Sequence, residues 1–106
     1  MASPSRWVAA LAAAALGGCG GPVRDFVQAR AEAVCAWEVR CDHLGVFPDE
    51  AACVEALVGA SASLGLDDRS CTPFDAEAAQ ACLDAYTAAT CEEPVDNAAC
   101  AQVCGE

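Results

Sequence analysis

The chain has 106 residues, 56% of them hydrophobic, with 16 acidic residues against five basic ones and a formal net charge of −11. That length holds one small domain and not two, with a core too limited to stabilise it unaided. Nine Cys in so short a chain are a disulfide-scaffold composition foreign to a reducing cytosol, and the acidic balance argues against nucleic acid and anionic lipid headgroups as partners of its surface.

Residues 1–18 read as an export signal. Met1 to Arg6 is short and polar with a single cation, and Trp7 to Leu16 is a ten-residue apolar run. That is the length of a signal-peptide core and falls well short of the about 20 residues of a transmembrane helix. Small residues follow: Gly17, Gly18, Cys19, Gly20, Gly21 and Pro22. The run Leu16-Gly17-Gly18-Cys19 resembles the lipobox of bacterial lipoproteins, in which the Cys thiol becomes a diacylglycerol thioether and the acylated first residue of the mature chain. The resemblance implies lipidation of Cys19 with palmitate-like chains and anchoring to the bacterial cell envelope on its extracytoplasmic side, because each buried CH₂ contributes about 0.8 kcal/mol to membrane binding. Gly20 in place of an Asp-type retention signal implies the outer membrane where the host has two. The expected division is a signal peptide over 1–18, the lipidated Cys and a flexible tether over 19–24, and a Cys-rich helical domain over 25–106.

Setting Cys19 apart leaves Cys35, Cys41, Cys53, Cys71, Cys82, Cys91, Cys100 and Cys104, an even set that can close as four bridges. Cys41 with Cys53, across a turn, is the expected first pair, and Cys91 with Cys100 or Cys104 a second. A metal cluster is the competing use, but there is no C-x-x-C pair and the chain holds one His, so neither zinc nor an iron–sulfur cluster is expected. Every acid lies after Cys19, and with four Arg the mature part carries a net −12. No Asp-rich loop of the calcium-binding pattern occurs, and the acids read as a solvated surface.

The mature part patterns as helices. Val23 to about Leu44 carries Phe26, Ala33, Trp37, Cys41 and Leu44 at helical spacing. Gly45 and Pro48 punctuate its end. Pro48-Asp49-Glu50 is expected as the first turn of a second helix running to about Leu64, with Cys53, Leu57, Ala60 and Leu64 as its stripe. "GLDDRSCTP" reads as a loop. A third helix capped at Thr72 or Asp75 then presents Ala79, Cys82, Tyr86 and Ala89 up to about Thr90, and Asp96 or Asn97 caps a short fourth that Gly105 ends. Alternating strand patterns are missing. The expected fold is all-α: a small disulfide-stapled bundle of three main helices plus a short C-terminal helix.

The segment "FDAEAAQACLDAYTAATC", Phe74 to Cys91, with Cys100 beyond it, is similar to the small Cys-rich lipoproteins abundant in myxobacteria and their relatives. In those proteins an aromatic-Asp pair, an Ala-rich helix with Cys-Leu and a later Cys recur after an earlier pair like Cys41 and Cys53. The likeness spans residues 30 to 104 and implies a location and a fold type; it brings no catalytic or ligand residues with it.

No catalytic constellation emerges. His43 stands beside Asp42 near the expected end of the first helix, where a cation suits the negative dipole end. Ser61, Ser63 and Ser70 have no nucleophile context, and close carboxylate pairs arise by chance among so many acids. Trp37 and Tyr86 are the candidate ligand-binding residues, with Phe47 and Phe74 completing a wall if the helices leave a groove, although a small bundle needs large side chains in its core. The expectation is therefore a non-enzymatic lipoprotein without cofactor, whose rigid acidic head has an interaction or envelope-structural role with an envelope protein as partner. The alternative is a carrier of a small hydrophobic ligand.

Overall fold

A computed structural model describes residues 21–93 and 95–105. The expected signal peptide and Cys19 lie outside the described residues. Helix α1 spans Gly21–Arg40, α2 spans Glu50–Ala60 and runs on into a 3-10 turn over Ser61–Leu64, α3 spans Ala76–Ala88, and a second 3-10 turn covers Ala98–Gln102. No strand occurs among the described residues. The expected all-α stapled bundle is observed, with α2 and α3 both packed on α1 and the C-terminal turn packed on α3.

Each helix begins and ends for a local reason. Gly21 has φ +83°, a left-handed conformation open to glycine, and Pro22 after it has the fixed φ and missing N–H that suit a first helical turn. Residues 21–24, expected within the flexible tether, are thus helical, since Gly-Pro starts a helix as readily as it makes a linker. Asp49 is the N-cap of α2, its Oδ1 accepting the Ala52 N–H at 2.9 Å. Pro48 precedes that cap and does not open the helix as expected. Asp75 caps α3 through the Ala78 N–H at 3.0 Å, as its sequence position allows.

The end of α1 is a Schellman motif. The His43 N–H reaches back to the Glu38 carbonyl at 2.7 Å and the Asp42 N–H to the Val39 carbonyl at 3.1 Å, so Asp42 takes the left-handed position at φ 58° that glycine usually fills. The apolar contact that accompanies this motif is the His43 ring edge-on against Trp37, centroids 5.4 Å apart. Helix α1 accordingly stops at Arg40, short of the expected Leu44. The run through α2 ends in the same way with a glycine in place: the Gly65 N–H bonds the Ala62 carbonyl and the Leu66 N–H the Ser61 carbonyl, each at 3.0 Å, with Gly65 at φ +81°.

The buried face of α1 is Val23, Phe26, Val27, Ala31 and Cys35, of which Val23, Phe26 and Val27 pack with Cys71, Ala79, Cys82 and Val103 in the main core cluster. Only Phe26 belongs to the expected stripe: Ala33, Trp37, Cys41 and Leu44 are half-buried. In α2 only Cys53 is buried, and Leu64 is 61% exposed, so that expected stripe narrows to its first half. Val103, fully buried, holds the C-terminal turn in the core, and its carbonyl accepts the Asp75 N–H at 2.7 Å.

All eight cysteines are paired, as Cys35–Cys53, Cys41–Cys91, Cys71–Cys104 and Cys82–Cys100. The expected Cys41–Cys53 pair is not formed, nor is either expected partner of Cys91. At about 100° per residue, Cys35 and Cys41 lie about 240° apart around the helix axis, so one faces α2 and the other faces the far end of α3. Cys100, one candidate for Cys91, is taken by Cys82 beneath it, and Cys104 by Cys71. The enclosed spans of 18, 50, 33 and 18 residues each correspond to about 3–4 kcal/mol in the chain-entropy account, not additive because the loops interlock.

Because Asp42 holds a left-handed conformation and a negative charge at a helix C-terminus, Asp42→Gly is expected to stabilise the oxidised domain by about 0.5–1 kcal/mol. Asp42→Ala, which keeps the Cβ and loses the local polar group, is expected to give no such gain. Denaturant unfolding of the three proteins side by side measures the difference.

Candidate functional site

The residues singled out in the sequence separate into two groups. Trp37, near the end of α1, and Tyr86, in the last turn of α3, meet edge-on with ring centroids 6.4 Å apart, and His43 completes the cluster on the other side of Trp37. Phe74 instead pairs with Phe26, 6.1 Å away, beside the core at the start of α3. Phe47 sits half-buried in the α1–α2 connection. The four aromatics therefore form no common wall.

What the Trp37–Tyr86 cluster does is join two helix ends. The Trp37 Nε1–H donates to the Thr90 carbonyl at 3.2 Å. One guanidinium nitrogen of Arg40 donates to the carbonyls of Tyr86 and Ala89, both at 3.2 Å. A cation is thus placed on the carbonyls at the negative end of α3, that of Tyr86 also accepting the Ala89 N–H at 3.3 Å, and Cys41–Cys91 closes the same junction covalently. His43 itself is exposed just beyond the end of α1, while the cation at the end of α3 is Arg40, which acts across helices; no spacing signal in the sequence points to it.

Two of the concave features of the described residues lie elsewhere and involve α2. The first is a cleft of about 460 Å³ between the N-terminal half of α1 and the end of α2. Val23, Val27, Val58 and Leu66 are its apolar lining, and Arg24, Asp67 and Asp68 stand at its rim. The Asp67 carboxyl is held below the usual carboxylate range by the Ser70 N–H, 2.7 Å away, then by the Ser70 hydroxyl and Arg69. Its lowered value means that any stability it contributes is complete above the ordinary carboxylate pKa and is lost as pH falls through the lowered one.

The second is an open groove of about 1170 Å³ along α1 and α2. Ala36, Ala52, Val54, Val58 and Gly59 make a floor of small side chains, while Glu32, Asp49, Glu50 and Glu55 line it with no cationic residue among its walls. Gln28 and Glu32 are hydrogen-bonded to each other at 2.8 Å on its α1 side. A continuous low floor with one sign of charge around it suits a protruding, cationic and partly apolar segment. Periodicity could not reveal this groove, since it arises where two faces meet.

Among the described residues no three His, Cys, Asp or Glu side chains converge as a metal-ligand set, and no helix there is long and apolar enough to cross a membrane. The eight paired cysteines leave none of their thiolates for coordination. The chain matches no protein-family model, no curated protein and no solved structure, so its functional reading rests on these residues.

Replacing the Arg40 guanidinium, as in Arg40→Gln, leaves the carbonyls of Tyr86 and Ala89 without their cationic donor and is expected to cost about 1 kcal/mol at this exposed position. Hydrogen exchange should show the loss as faster opening of the last turn of α3, with amides of α2 unchanged.

Proposed function

We propose that this chain is a lipid-anchored extracytoplasmic protein whose acidic, disulfide-stapled head docks a partner through the α1–α2 groove. The observation that carries the docking part is the groove itself: an apolar floor whose charged lining residues, Glu32, Asp49, Glu50 and Glu55, are all acidic. Its complement is a partner protein presenting a basic amphipathic segment, for which charge supplies encounter and register while the small-residue floor supplies contact area. The anchor is read from the lipobox-like Leu16-Gly17-Gly18-Cys19, and the four bridges favour the extracytoplasmic location, because such bridges persist in oxidising compartments.

The start of α1 at Gly21 bears on how such a head would sit. Only Gly20 separates Cys19 from Gly21, so an acylated Cys19 would hold the start of α1 within about 7 Å of the Cys19 Cα. Such a head is oriented by its anchor and has little freedom to roam.

A second reading, a carrier of a small hydrophobic ligand, is favoured by the cleft lined by Val23, Val27, Val58 and Leu66. Its volume is that of a small ligand site. Mass spectra of the organic extract would then show a ligand leaving with the purified protein.

The intact mass of protein isolated from its own host without reductant tests the anchor. Residues 19–106 plus acyl-glyceryl groups, less the eight hydrogens of the four bridges, is the expected result; an unmodified Cys19 overturns it. Docking is tested on the oxidised protein with a Lys-rich amphipathic helical peptide, compared with its Glu-rich counterpart. Binding of the cationic peptide is expected to fall about tenfold or more in the Glu32→Lys/Glu55→Lys variant and to persist in Glu77→Lys on α3. Equal binding by all three proteins would remove the groove from the proposal.

A further inference from the structure

The Cys41–Cys91 bridge differs from the other three in access. Cys91 is exposed and Cys41 half-buried, whereas Cys35 and Cys82 are 0% exposed and Cys53 and Cys71 are 2% exposed, so every other bridge is shielded on at least one side. A thiolate must approach a disulfide sulfur directly, and burial of the bridge blocks that approach. The surroundings differ as well. Cys91 lies outside every helix, three residues beyond the end of α3, so its backbone can shift without breaking helical hydrogen bonds. Moreover, the contacts of Arg40 with Tyr86 and Ala89 and of Trp37 with Thr90 hold the helix junction independently of the sulfur–sulfur bond.

We propose that Cys41–Cys91 is a thiol-exchange site, the bridge that an external thiol opens while the remaining fold stays closed, and that cationic aminothiols are its preferred reagents. The preference comes from charge. Asp42 adjoins Cys41, and Glu92 and Glu93 adjoin Cys91. Helices α1 and α3 both end at this junction, adding the negative ends of two dipoles. Against these stand Arg40, already bonded to two carbonyls, and His43. An anionic thiol is repelled from such a surface, and an ammonium-bearing one is drawn to it.

In the first step the reagent thiolate bonds to Cys91 Sγ and the bond to Cys41 breaks. Its electron pair leaves on Cys41 Sγ, which takes a proton from solvent. A second reagent thiolate then attacks the reagent sulfur of the mixed disulfide, releasing Cys91 as a thiolate that is protonated in turn. The bridge gains two electrons and two protons, and two reagent thiols become one disulfide.

The test treats the oxidised full chain with cysteamine or with glutathione, quenches aliquots with an alkylating reagent and maps labelled cysteines by mass spectrometry. Cys41 and Cys91 are expected to be labelled about tenfold or more faster than any other pair, with the helical circular dichroism retained at that stage. Cysteamine is expected to react faster than glutathione at low salt, and the two rates to converge in about 1 M salt, where the Debye length is about 3 Å. Simultaneous labelling of all eight half-cystines, or earlier labelling of Cys71–Cys104 or Cys82–Cys100, would overturn the site. A rate ratio insensitive to salt would overturn the charge preference. The Cys41→Ser/Cys91→Ser variant should lose the fast phase alone; should that variant not fold, the order of labelling in the unaltered chain still decides.

Discussion

Covalent closure of a small core is the constraint on which this structure depends. Among the described residues ten are buried, and four of them, Cys35, Cys53, Cys71 and Cys82, are themselves half-cystines. Val23, Phe26, Val27, Ala31, Ala79 and Val103 supply the remainder. So little apolar volume buries too small an area to offset the conformational entropy of the chain. The bridges reduce that entropy in the unfolded state, and their sulfur atoms also fill the centre of the core where another domain would place Leu or Ile. Helices α1, α2 and α3 and the C-terminal turn each carry at least one of them, so no helix depends on the apolar core alone.

Helix α1 organises the result because it serves two partners. Its buried face near Cys35 meets α2, and its C-terminal end meets the C-terminal end of α3 through Trp37, Arg40 and Cys41. The second junction is polar and aromatic, built from an indole N–H, a guanidinium and an edge-on ring pair. Such contacts fix direction where a few small apolar side chains could not. Trp37 and Tyr86 thus help hold two helix ends together.

Away from that junction, the groove of the proposed docking role lies along α2. This helix is buried only at Cys53, and its short side chains leave a groove against α1 that the acids of both helices surround. The proposed docking role and the proposed thiol exchange occupy different parts of the molecule. The groove lies on the α1–α2 face, and the exchangeable bridge lies at the α1–α3 end.

Much of the fold was legible in the chain itself. Nine cysteines in an acidic chain of 106 residues announced a stapled domain, helical spacing located three helices, and Asp75 was readable as a cap because capping is settled within one turn of chain. The lipobox-like segment is local in the same sense. Tertiary structure alone decided the pairing of the cysteines, the burial of Val103, the reach of Arg40 to another helix and the acidic groove. Each of these depends on how far α1 turns between successive partners, and thus on which face meets which neighbour. A periodic pattern of Ala and Cys leaves that rotation open, since several faces of α1 are apolar enough to be buried, and only simultaneous packing of α2, α3 and the C-terminal turn selects among them.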